Sequence, residues 1–533
     1  MHHAYRFATT LLFLANAWGC SESSAPASDA AILADSARAD ASRDTRVLDG
    51  PALDKAKSDA SNHDAASDDQ TWPADASADT NNDLGIDASA DQGAQDAGSS
   101  DAGSSPGGKH LWSLRFGDSE SERVLGVGSD ALGNVYITGV FRGSIDFGGG
   151  TLTAGGHDDM FVASFSKGGK YRWAKVFGDK GAERGEAIAV DSSGNSFITG
   201  SFQTKINFGG SDLLDAGLSD IFVVSFDKDG KHRWSRRFGS ANNEHPYNVA
   251  LDRVGNVYFS GLFQLQADFG QGPLTSAGSF DAYLASYAND GKPRWAKRFG
   301  GKGSDYAHGI GTDAQGNVYL QGSFEDTIDL GGTVHSSAGN YDVFLVSFDK
   351  DGKQRWSARH GGTETEQARG AAVDDAGNFY VCGRIWGDSN FGGSALKHAG
   401  SADIYLAAYD KDGKHRWSKR FGDADEDSAN ALVIDPLGRI YLAGYFHKSL
   451  NLGGATFNAL GWEDGYVASF DAQGGHRFSL PISSSVTDKA HALALSKAAQ
   501  LLVGGEFQQT IDLGGGPLKS AGFADALLFA LTP

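Results

Sequence analysis

The chain has 533 residues, a formal net charge of −21 and two cysteines, Cys20 and Cys382. So strong a negative charge argues against nucleic acid or an anionic lipid surface as a partner, because both repel an acidic protein. Two cysteines exclude a disulfide framework, and Cys382, within the run FYVCG, is predicted to be a small buried strand residue.

The first 19 residues are predicted to form a signal peptide. Arg6 precedes the apolar run FATTLLFLANA at 7–17, which is too short to cross a bilayer as a helix. The segment ends AWGC, which resembles the lipobox of bacterial lipoproteins, although Trp18 is bulky for that motif. The resemblance implies that Cys20 is acylated. The alternative is an ordinary signal peptide that is cleaved near Gly19.

An acylated Cys20 would hold the chain stably on a membrane, because two lipid anchors are enough for permanent attachment. Ser21 follows the cysteine, and no Asp occupies that position. By resemblance to the sorting rule of lipoproteins, this implies the outer membrane, on its periplasmic side or at the cell surface.

Residues 20–108 are predicted to form a disordered tether. They consist largely of Ala, Ser, Asp and Gly, with almost no aromatic side chains, and they hold more than half of the net charge. Such a segment buries too little apolar surface to offset the entropy of ordering it, and its like charges keep it extended.

The chain from residue 109 to 533 repeats with a period of 61 residues. The most regular piece is SFDKDGKHRWSRRFG around Trp234, an apolar run, a tight turn and a second strand. Neighbouring copies are 61 residues apart (173 − 112 = 61, and so on), and they centre on Trp112, Trp173, Trp295, Trp356, Trp417 and Phe478. A fixed period of this length indicates a repeat architecture.

Each repeat is predicted to be one blade of four short antiparallel strands. In the second copy these strands cover 187–191, 197–202, 221–226 and the stretch through Trp234, with no helical periodicity. Small residues at alternate positions of the first strand, such as Gly126 and Gly128, predict the strand crowded against the central axis. Arginines in the fourth strand, such as Arg233, suit an exposed outer edge.

The two ends of the repeat region are predicted to complete one blade together. The region begins with a lone fourth strand at 110–116 and ends with only three strands of a blade. The fold class predicted is therefore an all-β, seven-bladed β-propeller of four-stranded antiparallel blades, closed by the N-terminal strand.

The turn between the first two strands carries the pattern Asp-x-x-Gly-Asn-x-Tyr/Phe-x-x-Gly, at 130–139, 191–200, 252–261, 313–322 and 374–383. These repeats resemble the SBBP β-propeller repeat family of bacterial cell-surface proteins. The resemblance covers all seven copies, although the last one departs from it at 496–500 and at Phe478. It implies a fold and a surface location, and the family has no agreed chemistry to transfer.

Carboxylates recur in the connections on one face of the predicted ring. One set precedes the first strand, at Glu122, Glu183, Glu244, Asp305, Glu366, Asp427 and Asp488. Another opens the third strand, at Asp159, Asp220, Asp281, Asp342, Asp403, Asp464 and Asp525. The second set are calcium candidates, since Ca²⁺ takes oxygen ligands, and no other cofactor is predicted. The alternative, which sevenfold repetition favours, is that each carboxylate holds its own loop through backbone N–H bonds.

Aromatic side chains that break the repeat are the candidates for ligand binding, because a blade does not require them. They lie on the same face, at Phe280, Tyr341, Trp386, Trp462 and Phe523. Exposed aromatics among acidic groups suit glycan or protein binding, whereas the alternative is that each covers its own loop.

The favoured hypothesis is a lipid-anchored, monomeric surface module that binds an envelope protein or a glycan without catalysis. The alternative is a propeller hydrolase or lyase with its site at the axial mouth, and a third possibility is a purely structural coat component. An enzyme should show unlike acid, base and cation on adjacent blades, and a binder should show an exposed aromatic patch.

Overall fold

The computed structural model describes residues 107–533, in which the regular elements are β-strands. The predicted signal peptide, Cys20 and the predicted tether up to residue 106 lie outside the described residues. Across 107–533 there is no helix long and apolar enough to span a bilayer.

The strands form seven four-stranded antiparallel sheets around a central axis, so the predicted seven-bladed β-propeller is confirmed. Blades are numbered by their innermost strand, which packs against the innermost strands of both neighbours. The innermost strands are Arg123–Ser129, Arg184–Val190, His245–Leu251, Asp305–Thr312, Glu366–Val373, Asp427–Ile434 and Asp488–Ser496. The second strands are Val135–Phe141, Ser196–Phe202, Val257–Phe263, Val318–Asp329, Phe379–Ile385, Ile440–Phe446 and Gln500–Phe507.

The two outer strands of each blade follow in chain order, and only blade seven takes its outermost strand from the N-terminal end. The third strands are Asp159–Phe165, Asp220–Phe226, Asp281–Tyr287, Val334–Phe348, Asp403–Tyr409, Asp464–Phe470 and Asp525–Leu531. The outermost strands are Tyr171–Phe177, His232–Phe238, Pro293–Phe299, Gln354–His360, His415–Phe421, His476–Ile482 and, in blade seven, His110–Phe116.

The connection between the second and third strands contains a small hairpin in most blades, where the sequence predicted only a glycine-rich loop. Its strand pairs are Ser144–Asp146 with Thr151–Thr153, Lys205–Ile206 with Leu213–Leu214, Gln266–Asp268 with Pro273–Thr275, Ser449–Asn451 with Thr456–Asn458, and Thr510–Asp512 with Pro517–Lys519. In blade four the same hairpin is continuous with the long strands Val318–Asp329 and Val334–Phe348. We call the face with these connections the loop face, and the opposite face the hairpin face.

The core lies between blades, because each sheet has a neighbouring sheet on both sides. Second and third strands such as Val135–Phe141 and Asp159–Phe165 are buried along their whole length. The small residues of the innermost strand make this packing possible: a Cβ at Gly126 would lie 3.0 Å from the backbone nitrogen of Ile188 in the next blade. The crowding predicted at the axis is therefore contact between neighbouring innermost strands.

The outermost strand joins each blade to the next one. The indole nitrogen of Trp173 donates a 3.0 Å hydrogen bond to the carbonyl of Lys228, in the outer hairpin of blade two. Arg172, predicted only to protect an edge, also donates to that carbonyl (3.1 Å) and to the hydroxyls of Ser164 and Tyr136. Gly230 completes the contact, because its φ of +77° forms the turn and its missing side chain leaves room for the Trp173 ring.

The same tryptophan bond recurs at six blade boundaries, and the seventh boundary explains the one departure from the pattern. The six donors, at 2.9–3.2 Å, are Trp112, Trp173, Trp234, Trp295, Trp356 and Trp417. At the seventh boundary two separate segments, 107–109 and 531–533, replace the outer hairpin, and the N–H of Gly108 bonds to the carbonyl of Thr532. Phe478 therefore faces no hairpin carbonyl, and its ring packs on Gly107 and Gly108.

Removing the N-terminal strand should destabilise the propeller strongly. His110–Phe116 pairs with Asp525–Leu531, and the buried Phe116 ring stacks on Phe165 of blade one at 5.3 Å. Losing one buried Phe side chain costs about 3–5 kcal/mol, which in a domain of this size corresponds to a melting temperature lower by at least about 3 °C. The measurement compares a chain that starts at Asp118 with one that starts at Gly107. Equal melting curves would show that the ring does not need this strand.

Candidate functional site: the axial mouth

A β-bulge occurs at the same position of the innermost strand in all seven blades. The pairing with the second strand shifts between Val124 and Gly126 in blade one, and the corresponding shift recurs in every other blade. A bulge re-aims the side chain of the extra residue. The bulged residues, which we call the axial ring, are Leu125, Glu186, Tyr247, His308, Arg369, Asn430 and His491.

Side chains of the axial ring converge near the axis. The Tyr247 and His308 rings, from blades three and four, lie 4.2 Å apart between centroids. Burial raises the pKa of Tyr247, and the charge of Arg369, two blades away, opposes that rise. Glu186 lies 4.0 Å from the imidazole of His245 on the next blade. The ring therefore brings together side chains that the repeat places far apart in sequence.

Two further layers of varied side chains lie above the axial ring, toward the loop face. One is the position two residues before the bulge, with Arg123, Arg184, His245, Tyr306, Gln367, Ser428 and Lys489. The other is the sixth residue of the second strand (the seventh in blade seven), with Val140, Ser201, Leu262, Ser323, Arg384, Tyr445 and Glu506. Together the three layers form what we call the axial mouth.

Ion pairs connect neighbouring blades within the mouth. Glu506 of blade seven accepts from Arg123 of blade one at 2.9 Å and lies 3.2 Å from the imidazole of His491. Burial alone would raise the pKa of Glu506, but the charge of Arg123 and the contact with His491 lower it to about 2. This carboxylate is therefore ionised throughout the physiological range.

A second network spans blades five, six and seven. Arg384 bonds to Glu426 at 2.5 Å and to the hydroxyl of Tyr445 at 3.1 Å. Lys489 pairs with Glu463 at 2.9 Å, and its ammonium lies 4.8 Å above the Tyr445 ring. Burial would lower the pKa of Lys489, but the charges of Glu463 and Glu506 together with the bond to Glu463 raise it above its usual value, so the ammonium keeps its proton.

The neutral side of the mouth lies on blades three and four. His308 is only 7% exposed, between the rings of Tyr247 and Tyr306. Burial and the charge of Arg369 hold the pKa of His308 well below its usual range. The imidazole of His308 is therefore neutral at physiological pH.

Three of the five predicted aromatic residues contact residues in or beside the mouth. Tyr341 packs on Tyr306 at 5.8 Å, Arg384 lies 5.0 Å above the ring of Trp386, and Trp462 meets His447 edge-on at 5.9 Å. Trp462 and Phe523 are 74% and 72% exposed, whereas Phe280, Tyr341 and Trp386 are half-buried. The arc of aromatics predicted from the sequence thus divides into two exposed rim residues and three partly covered ones.

The predicted calcium candidates are buried carboxylates that hold their own loops. Each accepts a backbone N–H from the residue four positions earlier, as Asp159 does from Gly155 at 2.8 Å, and this recurs at Asp220, Asp281, Asp342, Asp403, Asp464 and Asp525. In five blades an arginine of the outermost strand also binds the carboxylate, at Arg115, Arg237, Arg298, Arg359 and Arg420. Within residues 107–533 no cluster of three or more His, Cys, Asp or Glu side chains is placed to hold a metal ion, and calcium binding stays a prediction.

The other set of recurring carboxyls is buried beside the first set. Burial, followed by the charges of Asp118 and Asp525, raises the pKa of Glu122 to about 9. Burial also raises the pKa of Asp305 and Asp427 to about 8. Carboxyls with such pKa values are largely protonated at neutral pH, so these three blade boundaries hold two acidic side chains without two full charges.

Sequence reasoning missed the axial ring, although the sequence contains a signal for it. The position that precedes the small residues Gly126 and Ala187 changes in charge and size from copy to copy, from Leu125 to Glu186 to Arg369. The comparison of copies that identified the aromatic rim residues would have identified this position. The bulge that turns these side chains toward the axis could not be seen in the sequence.

Comparison with curated proteins identifies two distant relatives, and no family model matches the chain. An uncharacterized WD repeat-containing protein of Acanthamoeba polyphaga mimivirus is 22% identical over 357 residues, 52% of this chain and 25% of that protein. The regulatory protein FlaEY of Caulobacter vibrioides is 24% identical over 401 residues, 69% of this chain and 41% of that protein. The chain thus spans less than half the length of either relative.

Solved structures with a similar fold include two Sqt1 proteins. Sqt1 from Chaetomium thermophilum matches 79% of this chain and 98% of its own, with a TM-score of 0.40 and 8% identity. Sqt1 from Saccharomyces cerevisiae matches 80% and 100%, with a TM-score of 0.37 and 12% identity. The chain is thus a seven-bladed β-propeller with WD-repeat-like relatives.

The raised pKa values predict a propeller that loses stability as the pH rises. A carboxyl whose pKa is raised on folding contributes stability that is fully present below its ordinary pKa, 4.5 for Glu122, and lost as the pH passes about 9. The urea midpoint should therefore fall between pH 5 and pH 9. Glu122→Gln should flatten this dependence, and Glu364→Gln on the exposed surface should not. A midpoint that rises over this range would contradict the assignment.

Proposed function

We propose that the chain is a surface-anchored binding module that takes its ligand at the axial mouth and performs no chemistry on it. The supporting observation is the axial ring, where seven bulges direct seven side chains of six different kinds to one place in otherwise regular blades. If the repeats served only to build a ring, the residue at the axial ring position would not need to vary from blade to blade. The ligand is an envelope protein or a glycan.

The charge states in the mouth favour binding over general acid–base catalysis. A general acid or base works best with a pKa near the operating pH. Glu506 has its pKa lowered to about 2, the pKa of Lys489 is raised, and the pKa of His308 is far below its usual range. These three groups keep one protonation state throughout, which suits a fixed pattern of charges and hydrogen-bond partners.

A hydrolase or lyase is the second candidate, because one pair in the mouth has the elements of an acid–base site. Glu186 and His245 lie 4.0 Å apart on blades two and three, beside Arg184. Burial lowers the pKa of His245, which would leave the imidazole neutral and able to accept a proton at neutral pH. From the sequence we expect an enzyme to carry an acid, a base and a cation on adjacent blades, and Glu186, His245 and Arg184 are such a set.

Membership of the SBBP repeat family and attachment to the outer membrane through Cys20 belong to the same proposal. The first described residue, Gly107, packs on Phe478 at the hairpin face, opposite the axial mouth. The predicted tether would therefore join the propeller on the face opposite the mouth.

Changing the axial ring should weaken ligand binding and leave the propeller folded. The full-length chain in detergent is tested against a glycan array and an envelope extract, with His491→Ala and Glu186→Ala. We expect at least tenfold weaker binding, or about 1.4 kcal/mol, because each change removes a polar group from the mouth. Leu132→Ala, exposed on the hairpin face, is the control.

Binding that all three variants retain equally would place the ligand elsewhere. Conversion of the bound ligand by the wild-type chain, abolished in His245→Ala, would establish the hydrolase or lyase.

Replacing Cys20 by serine should release the chain from the membrane, since the thiol is the proposed attachment point of the lipid anchors. Cell fractionation and labelling with a fatty-acid analogue measure the effect. We expect the wild-type chain to be labelled and to sediment with outer membranes, and Cys20→Ser to be unlabelled and soluble. Labelling of the variant would contradict acylation at this residue.

A further inference from the structure

We infer that the ligand of the axial mouth is a glycan of neutral hexoses, and that Trp462 stacks on one of its sugar rings. This inference rests on the proposed function and narrows its ligand class. The site is the part of the rim that borders the mouth between blades six and seven, which we call the Trp462 corner. It consists of Trp462, Glu463 and His447 of blade six, Lys489 of the mouth, and the Arg384–Glu426 pair beside them.

Trp462 is held in place and yet open to solvent. Its backbone nitrogen donates a 2.6 Å hydrogen bond to the carbonyl of Val486, which fixes the end of the loop. His447 meets the indole edge-on, with an interplanar angle of 84°, and the side chain is 74% exposed. A large apolar ring that is fixed by its neighbours and left in water is a platform for the apolar face of a ligand.

Hydrogen-bonding groups of both kinds lie directly beside the platform. Glu463, the next residue, pairs with Lys489 at 2.9 Å and lies 3.9 Å from the imidazole of His447. A carboxylate and an ammonium side by side offer an acceptor and a donor, which match two adjacent hydroxyls of a sugar ring. The aromatic face and the hydroxyl partners are thus supplied by one corner of the mouth.

The charges of the corner favour a neutral sugar. Lys489 and Arg384 carry two positive charges, and Glu463 and Glu426 carry two negative ones, in two direct pairs. Each cation is already neutralised by a carboxylate, so an acidic sugar would gain little net attraction there to offset the hydration that its charge loses. A neutral hexose meets no such cost.

The distribution of apolar residues on the loop face favours a glycan over a protein. A protein partner is anchored by clustered apolar side chains at the centre of its interface. On this face the exposed large apolar residues are spread around the ring with at most two to a blade, such as Leu214 and Leu218 in blade two or Leu460 and Trp462 in blade six. Aromatic platforms that stand apart from one another, each with charged neighbours, suit a chain of sugars.

The repeats themselves single out blade six. The position of Trp462 is occupied in the other blades by His157, Leu218, Ser279, Asn340, Ser401 and Phe523. The position of Glu463 is occupied there by Asp158, Ser219, Phe280, Tyr341, Ala402 and Ala524. Blade six alone joins an aromatic residue at the first position to an acid at the second.

Affinity electrophoresis of the full-length chain tests this inference. Gels contain polysaccharides of glucose, mannose or galactose, with polygalacturonate as the acidic counterpart, and a change in tryptophan fluorescence is the second readout. We expect at least one neutral polysaccharide to retard the wild-type chain. The affinity for that polysaccharide should fall at least tenfold in Trp462→Ala and should return toward the wild-type value in Trp462→Tyr. Leu218→Ala, in the equivalent loop of blade two, should bind as the wild type does.

Three outcomes would overturn the inference. These are no retardation by any neutral polysaccharide, stronger retardation by polygalacturonate, and neutral-sugar binding that Trp462→Ala retains. A protein captured from an envelope extract in a manner that depends on His491 and Glu186, without any sugar binding, would sustain the proposed function and still overturn the glycan. Melting curves of each variant exclude loss of folding as the cause.

Discussion

The close approach of seven innermost strands around one axis is the constraint on which the rest of the structure depends. Gly126 is small because a Cβ there would lie 3.0 Å from the backbone of Ile188 in the next blade. Strands packed so tightly cannot accommodate large side chains between them, and the bulge at the preceding residue turns that side chain away from the contact. One local irregularity therefore makes the ring possible and at the same time directs variable residues such as Glu186 toward the axis.

The residues that build the ring are different from those that we propose to bind ligand. Trp173, Arg172 and Gly230 recur with the same contacts at successive boundaries, and the paired acids of each boundary are buried on their own loops. The axial mouth shows the opposite pattern, because no two neighbouring blades supply the same residue to the axial ring. Substitutions in the mouth would remove ion pairs such as Arg123–Glu506, but they would leave the contacts of Trp173 and Arg172 at the outer edge intact. The mouth can therefore vary on a constant scaffold.

Much of the fold and part of the candidate site followed from the sequence. The period of 61 residues predicts the blades and the turn motifs, because both are set by local hydrogen bonding and by alternation along a strand. Trp462 and Phe523 were identified because they break the repeat, and both are exposed. The role of Arg172 was predicted incompletely, since its contact with Lys228 depends on where the next blade lies. The sequence shows Phe478 only as an exception to the repeat, because the reason for it, the packing of Gly107 and Gly108 on its ring, depends on how the ring of blades closes.

Local pattern and global packing thus determine different properties of this protein. Strand positions, turn chemistry and the number of blades can be read from the residues alone, because each depends on neighbours within a few positions or on counting copies. Which side chains meet at the axis depends on seven bulges and on contacts between residues some 61 positions apart, such as Tyr247 and His308 (308 − 247 = 61). The same holds for the pKa values of Glu506 and Glu122, which burial and neighbouring charges from other blades set. Only the closed ring brings these groups together.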